Sequence, residues 1–260
     1  MHSDNTNWRM ILQLAKNDLK SRYANYHLGM IWAFAMPLTT ILVFWFVFEA
    51  GLRNPPVEDV PYILWFAAAY IPWTFFQDTL SCGTNCLIEY SYLVKKIKFN
   101  IALIPLIKLM SGLLVHLFFL GFLLILYTIY RIPCTMYMVQ MLYYTAATAV
   151  LSLGLVYLCS AFTVFFKDTA SIVNVLLQIG FWVTPILWNE QMMQNPLVGK
   201  ALRLNPMYYI VSGFRECLIS GGWFWKRGAE TLYFWSVTIL ILYLGITVFN
   251  RLSPLFADEV

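Results

Sequence analysis

Two ionisable residues, Asp78 and Lys108, fall inside apolar runs of this chain and are the first candidates for chemistry. A Lys within a membrane span is costly, by roughly 2.5–3.5 kcal/mol, so such groups usually face protein or water and find partners. Asp78 lies about two helical turns from the end of its run, and Lys108 about two turns from the start of the next, each roughly 10 Å deep. The spacing predicts an Asp78–Lys108 pair joining the two runs; the other reading is Lys108 snorkelling to the headgroups. Other reactive residue types do not converge. The five cysteines form no C-x-x-C pair, and Cys82 and Cys86, one turn apart inside a run, suit apolar packing. His2, His27 and His116 are scattered, so neither a disulfide framework nor a metal site is expected. Asp168 and Glu190 stand at opposite ends of one run, which does not serve acid–base catalysis. A phosphate-binding loop needs G-x-x-x-x-G-K-[ST]. The only Gly-Lys, Gly199-Lys200, is followed by Ala201, so no nucleotide site is present in this sequence.

The elements that must hold these residues are six apolar stretches, roughly 30–50, 61–84, 101–130, 137–166, 170–188 and 229–250. Each is at or near the ~20 residues needed to cross a hydrocarbon core of about 30 Å. Hydrophobic residues make up 60% of the chain and charged ones 12%. A water-soluble surface is largely polar and soluble chains are usually about 25% charged, so a soluble fold is excluded. The expected fold is all-α and polytopic, a single membrane domain over 1–260. The net charge of +4 does not point to nucleic acid, because the basic residues sit at span ends. Lys and Arg collect in cytoplasmic loops. An inside N-terminus places Arg9, Lys16, Lys20, Arg22, Lys95, Lys96, Lys98, Lys167 and Arg251 on the cytoplasmic side, with only Arg53 and Arg131 in the first two outer loops. The segment 189–227 breaks the pattern with Lys200, Arg203, Arg215, Lys226 and Arg227. Ala33-Phe34-Ala35 resembles a signal cleavage site, but the polar stretch Lys20–His27 precedes it and no cleavage is expected.

Three pieces do not span. Over 7–27, Trp8, Leu12, Ala15, Leu19, Tyr23 and Tyr26 recur at helical steps opposite Arg9, Gln13, Lys16, Lys20 and His27. That is an amphipathic helix suited to the headgroup plane, or one packed on a partner; Gly29 turns the chain into the first span. Leu87, Tyr90, Val94 and Ile97 predict a second short amphipathic helix over 87–98, with Glu89, Lys95, Lys96 and Lys98 on its other sides. It reads equally as an inside anchor and as a docking helix for a soluble partner. In the third, 192–222, Asn205-Pro206 separates a short basic run (197–204) from a second helix (207–219), and Gly221-Gly222 ends it. Neither half can span; both re-enter from outside or lie on the outer surface. Turns are expected at Asn54-Pro55-Pro56 and Phe166–Thr169, and a kink at Pro72.

The string Arg22-Tyr23, Leu28-Gly29, Trp32 and Pro37 resembles the R-Y-x(4)-L-G-x-x-W-x(4)-P start of ABC-2-type permeases that export cell-surface polysaccharides such as O-antigen, capsule and teichoic acid. The likeness continues in Lys95–Lys98, Phe165–Asp168, Phe181–Ile186 and Asn205–Tyr208, and so covers the chain in order. Lys167 stands where the family favours Arg, and Asn100-Ile101 where it often has Pro; Pro105 is the nearest. The resemblance implies a six-span homodimer in a bacterial cytoplasmic membrane, both termini cytoplasmic, with a pore on the two-fold axis. It further implies an interface helix at 7–27, gate helices at 192–222, and a coupling helix at 87–98 whose Leu87, Glu89, Tyr90, Val94, Lys95 and Lys96 sit on a separate ATPase present in two copies. ATP and Mg belong to that subunit, and none is expected here.

Under that reading the substrate is a lipid-linked polysaccharide, and sugar C–H faces stack on aromatic rings. Path candidates are Trp32, Trp65, Trp73, Phe75, Tyr90, Phe165, Trp182, Trp188, Tyr208 and Tyr209, with Tyr23, and with Arg22 and Arg215 for a lipid headgroup. Membrane-interface belts and helix packing use the same rings. Two rival functions stand: an ABC-2 permease for a smaller lipid or drug, and a membrane-embedded glycosyl- or acyltransferase. Partners expected besides the ATPase are membrane lipids, and no nucleic acid.

Overall fold

A computed structural model describes residues 2–52, 56–57, 60–95, 99–190 and 196–259. Arg53, Asn54, Pro55, Lys96, Ile97 and Lys98, named above, lie outside them. The described residues are helical apart from loops and one isolated bridge between Val57 and Val60. The helices are α1 (His2–Arg22), α2 (Trp32–Phe44), α3 (Tyr62–Thr84), α4 (Cys86–Glu89), α5 (Ser91–Val94), α6 (Leu103–Ile129), α7 (Gln140–Phe165), α8 (Thr169–Val183), α9 (Pro196–Arg203), α10 (Pro206–Arg215), α11 (Gly228–Leu252) and α12 (Phe256–Glu259).

Four stretches among the described residues are long and apolar enough to cross a bilayer: Gly29–Gly51, Leu103–Ile129, Met136–Phe165 and Phe224–Glu259. The other two expected spans differ for separate reasons. α3 has the length, 23 residues, but Tyr, Trp, Gln77 and Asp78 dilute its apolar content. It can afford this because its side chains pack on other helices rather than on lipid; nearly all of it is buried. α8 has 15 residues and stops at Val183, short of the expected 188. Thr184 is extended (ψ 133°), as the residue before Pro185 favours. Pro37 and Pro72 sit inside helices that continue past them.

The helices alternate in direction and give the molecule two polar ends. At one end, a small core joins Leu87, Leu93 and Val94 to Ile104 (α6), Val164 (α7), Phe249 (α11) and Phe256 (α12). At the opposite end, Tyr62 donates to the Leu187 carbonyl (3.1 Å), and Glu49 accepts from the Ile63 N–H (3.1 Å), capping the first turn of α3. α3 lies in the centre, touching α6, α7, α8 and α10, and α11 packs most extensively on α7. There, a Cβ on Gly245 would stand 2.3 Å from the Gly154 carbonyl oxygen, so the two backbones meet through glycine.

Candidate functional site

At the α1 end, four chain segments meet around one buried carboxylate. Asp18, only 3% exposed, lies on the face of α1 that also buries Ile11, Ala15 and Leu19. Its Oδ1 accepts from Lys108 Nζ (2.6 Å) and from the Tyr90 hydroxyl (2.8 Å), and its Oδ2 from Arg22 (3.3 Å). Arg22 also donates to both oxygens of Asp78 (3.0 and 2.8 Å), and Lys108 to Glu89 (2.5 Å). The cluster therefore joins α1, the end of α3, the α4–α5 segment and α6.

The expected Asp78–Lys108 pair is not made. Asp78 belongs to Arg22, and Lys108, itself 3% exposed, points inward to Asp18 and Glu89 rather than snorkelling outward. The reason is geometric: α1 packs on α6 and places a carboxylate closer to Lys108 than α3 does. Burial on its own would raise the Asp18 pKa, but Lys108, Arg22 and Tyr90 together hold it below the usual carboxylate value. Burial and Asp18 both raise the Tyr90 pKa, keeping the phenol a donor. Arg22, read from the sequence as a headgroup attractor, has two carboxylates as partners instead.

Of the expected single helix over 87–98, the described part, 87–95, holds two one-turn helices, and Ile97 and Lys98 lie outside the described residues. The two helices part at Tyr90 (φ −100°, ψ 27°), whose ring is drawn to Asp18 while Leu87 and Val94 enter the small core. Ile88, Glu89, Tyr92 and Lys95 remain exposed; Lys96 lies outside the described residues.

At the far end, Asn205 accepts from the Met207 N–H (3.0 Å) and caps α10, with Pro206 in its first turn. Its amide also donates to Thr184 (2.8 Å), tying α10 to the end of α8. Arg215 is buried, and its guanidinium donates to the carbonyls of Trp65 (3.2 Å), Pro185 (2.5 Å) and Ile186 (2.7 Å) while lying 3.3 Å from the Trp65 ring centre. Tyr208 donates to Glu190, and Arg227 pairs with Glu230 and Glu216. Those bonds account for Arg215 and Arg227 among the basic residues that broke the charge pattern, and Arg203 reaches Glu190 and Glu230.

Five of the aromatic path candidates are packed inside: Trp65, Trp73, Phe75, Tyr208 and Tyr209 have no more than 5% of their surface exposed. A ring enclosed on both faces cannot stack a sugar. Trp73 instead donates to Gln77 (2.8 Å), and Phe75 stacks on His116. Phe165 is half-buried beside Phe256, and Tyr23, Trp32 and Trp188 are partly exposed. Trp182 is 61% exposed.

An open groove of about 450 Å³ runs between α2, α3 and α8, lined by Thr40, Gln77, Asn174 and Gln178 with Phe44, Tyr70 and Phe181. Ser171, Asn174 and Gln178 follow helical steps along an exposed face of α8. Sequence reading missed this stripe, although polar residues three and four apart in an apolar run are its signal. Asp18 was missed too, although an acidic residue at helical steps from Ile11 and Ala15, on the buried side of a mostly basic helix, is its signal.

A family model described as ABC-2 type transporter matches residues 9–219. The chain belongs to the ABC-2 type transporter family. This ABC-2 chain is thus a multi-pass membrane protein and a transport subunit. It is 24% identical over 259 residues to the O-antigen export system permease protein RfbA of Klebsiella pneumoniae, covering 96% of this chain and 94% of that one. It is 23% identical over 253 residues to the protein of the same name from Myxococcus xanthus, covering 96% and 95%. The ionic cluster, the groove and α10 all fall inside the matched residues.

Proposed function

We propose that this chain is the membrane-spanning half of an ATP-driven exporter of lipid-linked cell-surface polysaccharide. The observation that carries the proposal is the end-to-end similarity to permeases named for O-antigen export. In this reading α2, α3, α6, α7, α8 and α11 are six spans in a bacterial cytoplasmic membrane. The α1 end, with Lys95, Lys167 and Arg251, is cytoplasmic. α9 and α10 form the outer gate.

The polar stripe of α8 supports a homodimer. Gln77 and Asn174 accept from Trp73 and Ser81 through their oxygens, but their exposed amide N–H groups and the exposed Gln178 side chain would face lipid unsatisfied, at several kcal/mol for each such group. Two copies facing through α2, α3 and α8 remove those amides from lipid and enclose a hydrated passage, with Trp182 and Trp32 available to stack sugar faces. The sequence holds no phosphate-binding loop, so ATP and Mg are bound by a separate cytoplasmic subunit, two copies per dimer, resting on exposed Ile88, Tyr92 and Lys95.

The test is to co-purify the chain with the ABC ATPase encoded beside it and measure hydrolysis with purified lipid-linked glycans. Stimulation by one glycan class is expected; hydrolysis indifferent to every such lipid would overturn the proposal.

A further inference from the structure

We propose that Asp18 is the positioning residue of a mechanical joint, through which movement of the α4–α5 segment reaches α1 and then the α2 wall of the groove. The inference rests on the exporter reading above, and it names how the ATPase stroke enters the membrane part.

The α4–α5 segment is too short to act as a lever. Each piece is a single turn, and they are hinged at Tyr90. A push on this segment moves whatever its buried side chains grip. On one side they grip α6, α7, α11 and α12 through apolar contacts, which are non-directional. On the other side the grip is directional. Tyr90 and Glu89 hold Asp18 and Lys108, with both of the latter enclosed, and Asp18 also accepts from Arg22. Charge-assisted bonds at 2.5–2.8 Å fix distance and angle. Apolar residues of similar volume would often stabilise such a site as well as a buried ion pair does. What the ionic cluster adds is registry among four segments.

The output side is also on the chain. α1 ends at Arg22, and a short connection leads to Gly29 at φ +51°, a conformation that L side chains rarely adopt. A Cβ there would meet nothing within 4 Å, so the need for glycine is in the backbone. Beyond it lies α2, which carries Thr40 and Phe44 on the groove wall. Rotation of α1 about this turn tilts α2, while Arg22 and Asp78 carry the same movement to α3. Both groove walls next to α8 are thereby driven from one carboxylate.

The experiment uses the complex of this chain with its ATPase, reconstituted in liposomes, and reads lipid-linked glycan translocated per ATP hydrolysed. Asp18→Asn keeps the shape and an acceptor but removes the charge; Tyr90→Phe removes only the hydroxyl. We expect Asp18→Asn to lower the ratio at least tenfold, Tyr90→Phe to lower it severalfold, and hydrolysis to continue in both. The double variant Asp18→Asn with Lys108→Met removes the unpaired charge, so its thermal stability should recover relative to Lys108→Met alone while its coupling ratio stays low. Recovery of both would make the cluster structural only and overturn the joint, as would a wild-type ratio in Asp18→Asn. A wild-type complex that hydrolyses ATP without moving glycan would instead overturn the exporter reading on which the joint depends.

Discussion

Replacing Lys108 by Met removes one cation from a site where it and Asp18 are each 3% exposed. Met fills similar volume, so packing loss is small and the effect is electrostatic. Asp18 keeps the Tyr90 hydroxyl at 2.8 Å and the weaker Arg22 contact at 3.3 Å, but loses its closest partner at 2.6 Å. Breaking a buried pair by removing one member costs about 3–5 kcal/mol; the remaining Arg22 contact argues for the lower end, about 3 kcal/mol. At roughly 2–4 °C per kcal/mol for a chain of this size, the melting midpoint should fall by on the order of 10 °C. The pH dependence has a definite sign. In the wild type the Asp18 pKa is depressed, so its stabilisation is present above the ordinary value of 3.8 and is lost as pH falls through the folded-state pKa. Without Lys108, burial dominates and raises that pKa. The variant should then regain stability as pH falls from about 7.5 toward about 5, because protonation removes the unpaired charge. Thermal unfolding of the purified protein in detergent at the two pH values measures both effects. A Lys108→Met midpoint within about 2 °C of wild type at the higher pH, or one insensitive to pH, would refute the reasoning.

Gly245→Val places a side chain where even a Cβ meets the Gly154 carbonyl oxygen at 2.3 Å, so α7 and α11 must separate; a loss of at least about 1–3 kcal/mol is expected in the same melt. Arg215→Lys keeps the charge but cannot fork across the three carbonyls of Trp65, Pro185 and Ile186. It should destabilise by about 1–3 kcal/mol for each acceptor left unmet, and limited proteolysis should reach the α8–α10 end first. Cys134 is the one exposed cysteine of the five. A membrane-impermeant maleimide added to intact spheroplasts should label it and fail to label Cys134→Ser, which checks the orientation.

The apolar runs that became α2, α6, α7 and α11 were readable because a span needs little beyond length and hydropathy, and Trp32, Pro37 and Asn205-Pro206 marked their surroundings. α3 was also found, although its apolar content is diluted, because the run from Tyr62 is flanked by turn residues. What sequence could not supply was partner choice. Asp78 and Lys108 each signalled a need for an opposite charge, yet both find partners on α1: Arg22, read as a headgroup candidate, and Asp18, which no motif or apolar run singled out. The break at Tyr90 had no local signal, and the residue its hydroxyl reaches lies 72 positions away. Burial of Trp65, Trp73 and Tyr208 was likewise hidden, because an aromatic ring at a span end looks the same whether it faces an interface belt or a neighbouring helix.

The central claim is transport powered from a second polypeptide. Its most direct measurement is translocation of a lipid-linked polysaccharide in proteoliposomes containing this chain and its ATPase, with the glycan detected by a lectin on the far side. Glycan should cross only when the ATPase, hydrolysable ATP and Mg are all supplied. Equal crossing with the ATPase omitted, or with a non-hydrolysable analogue, would contradict the account.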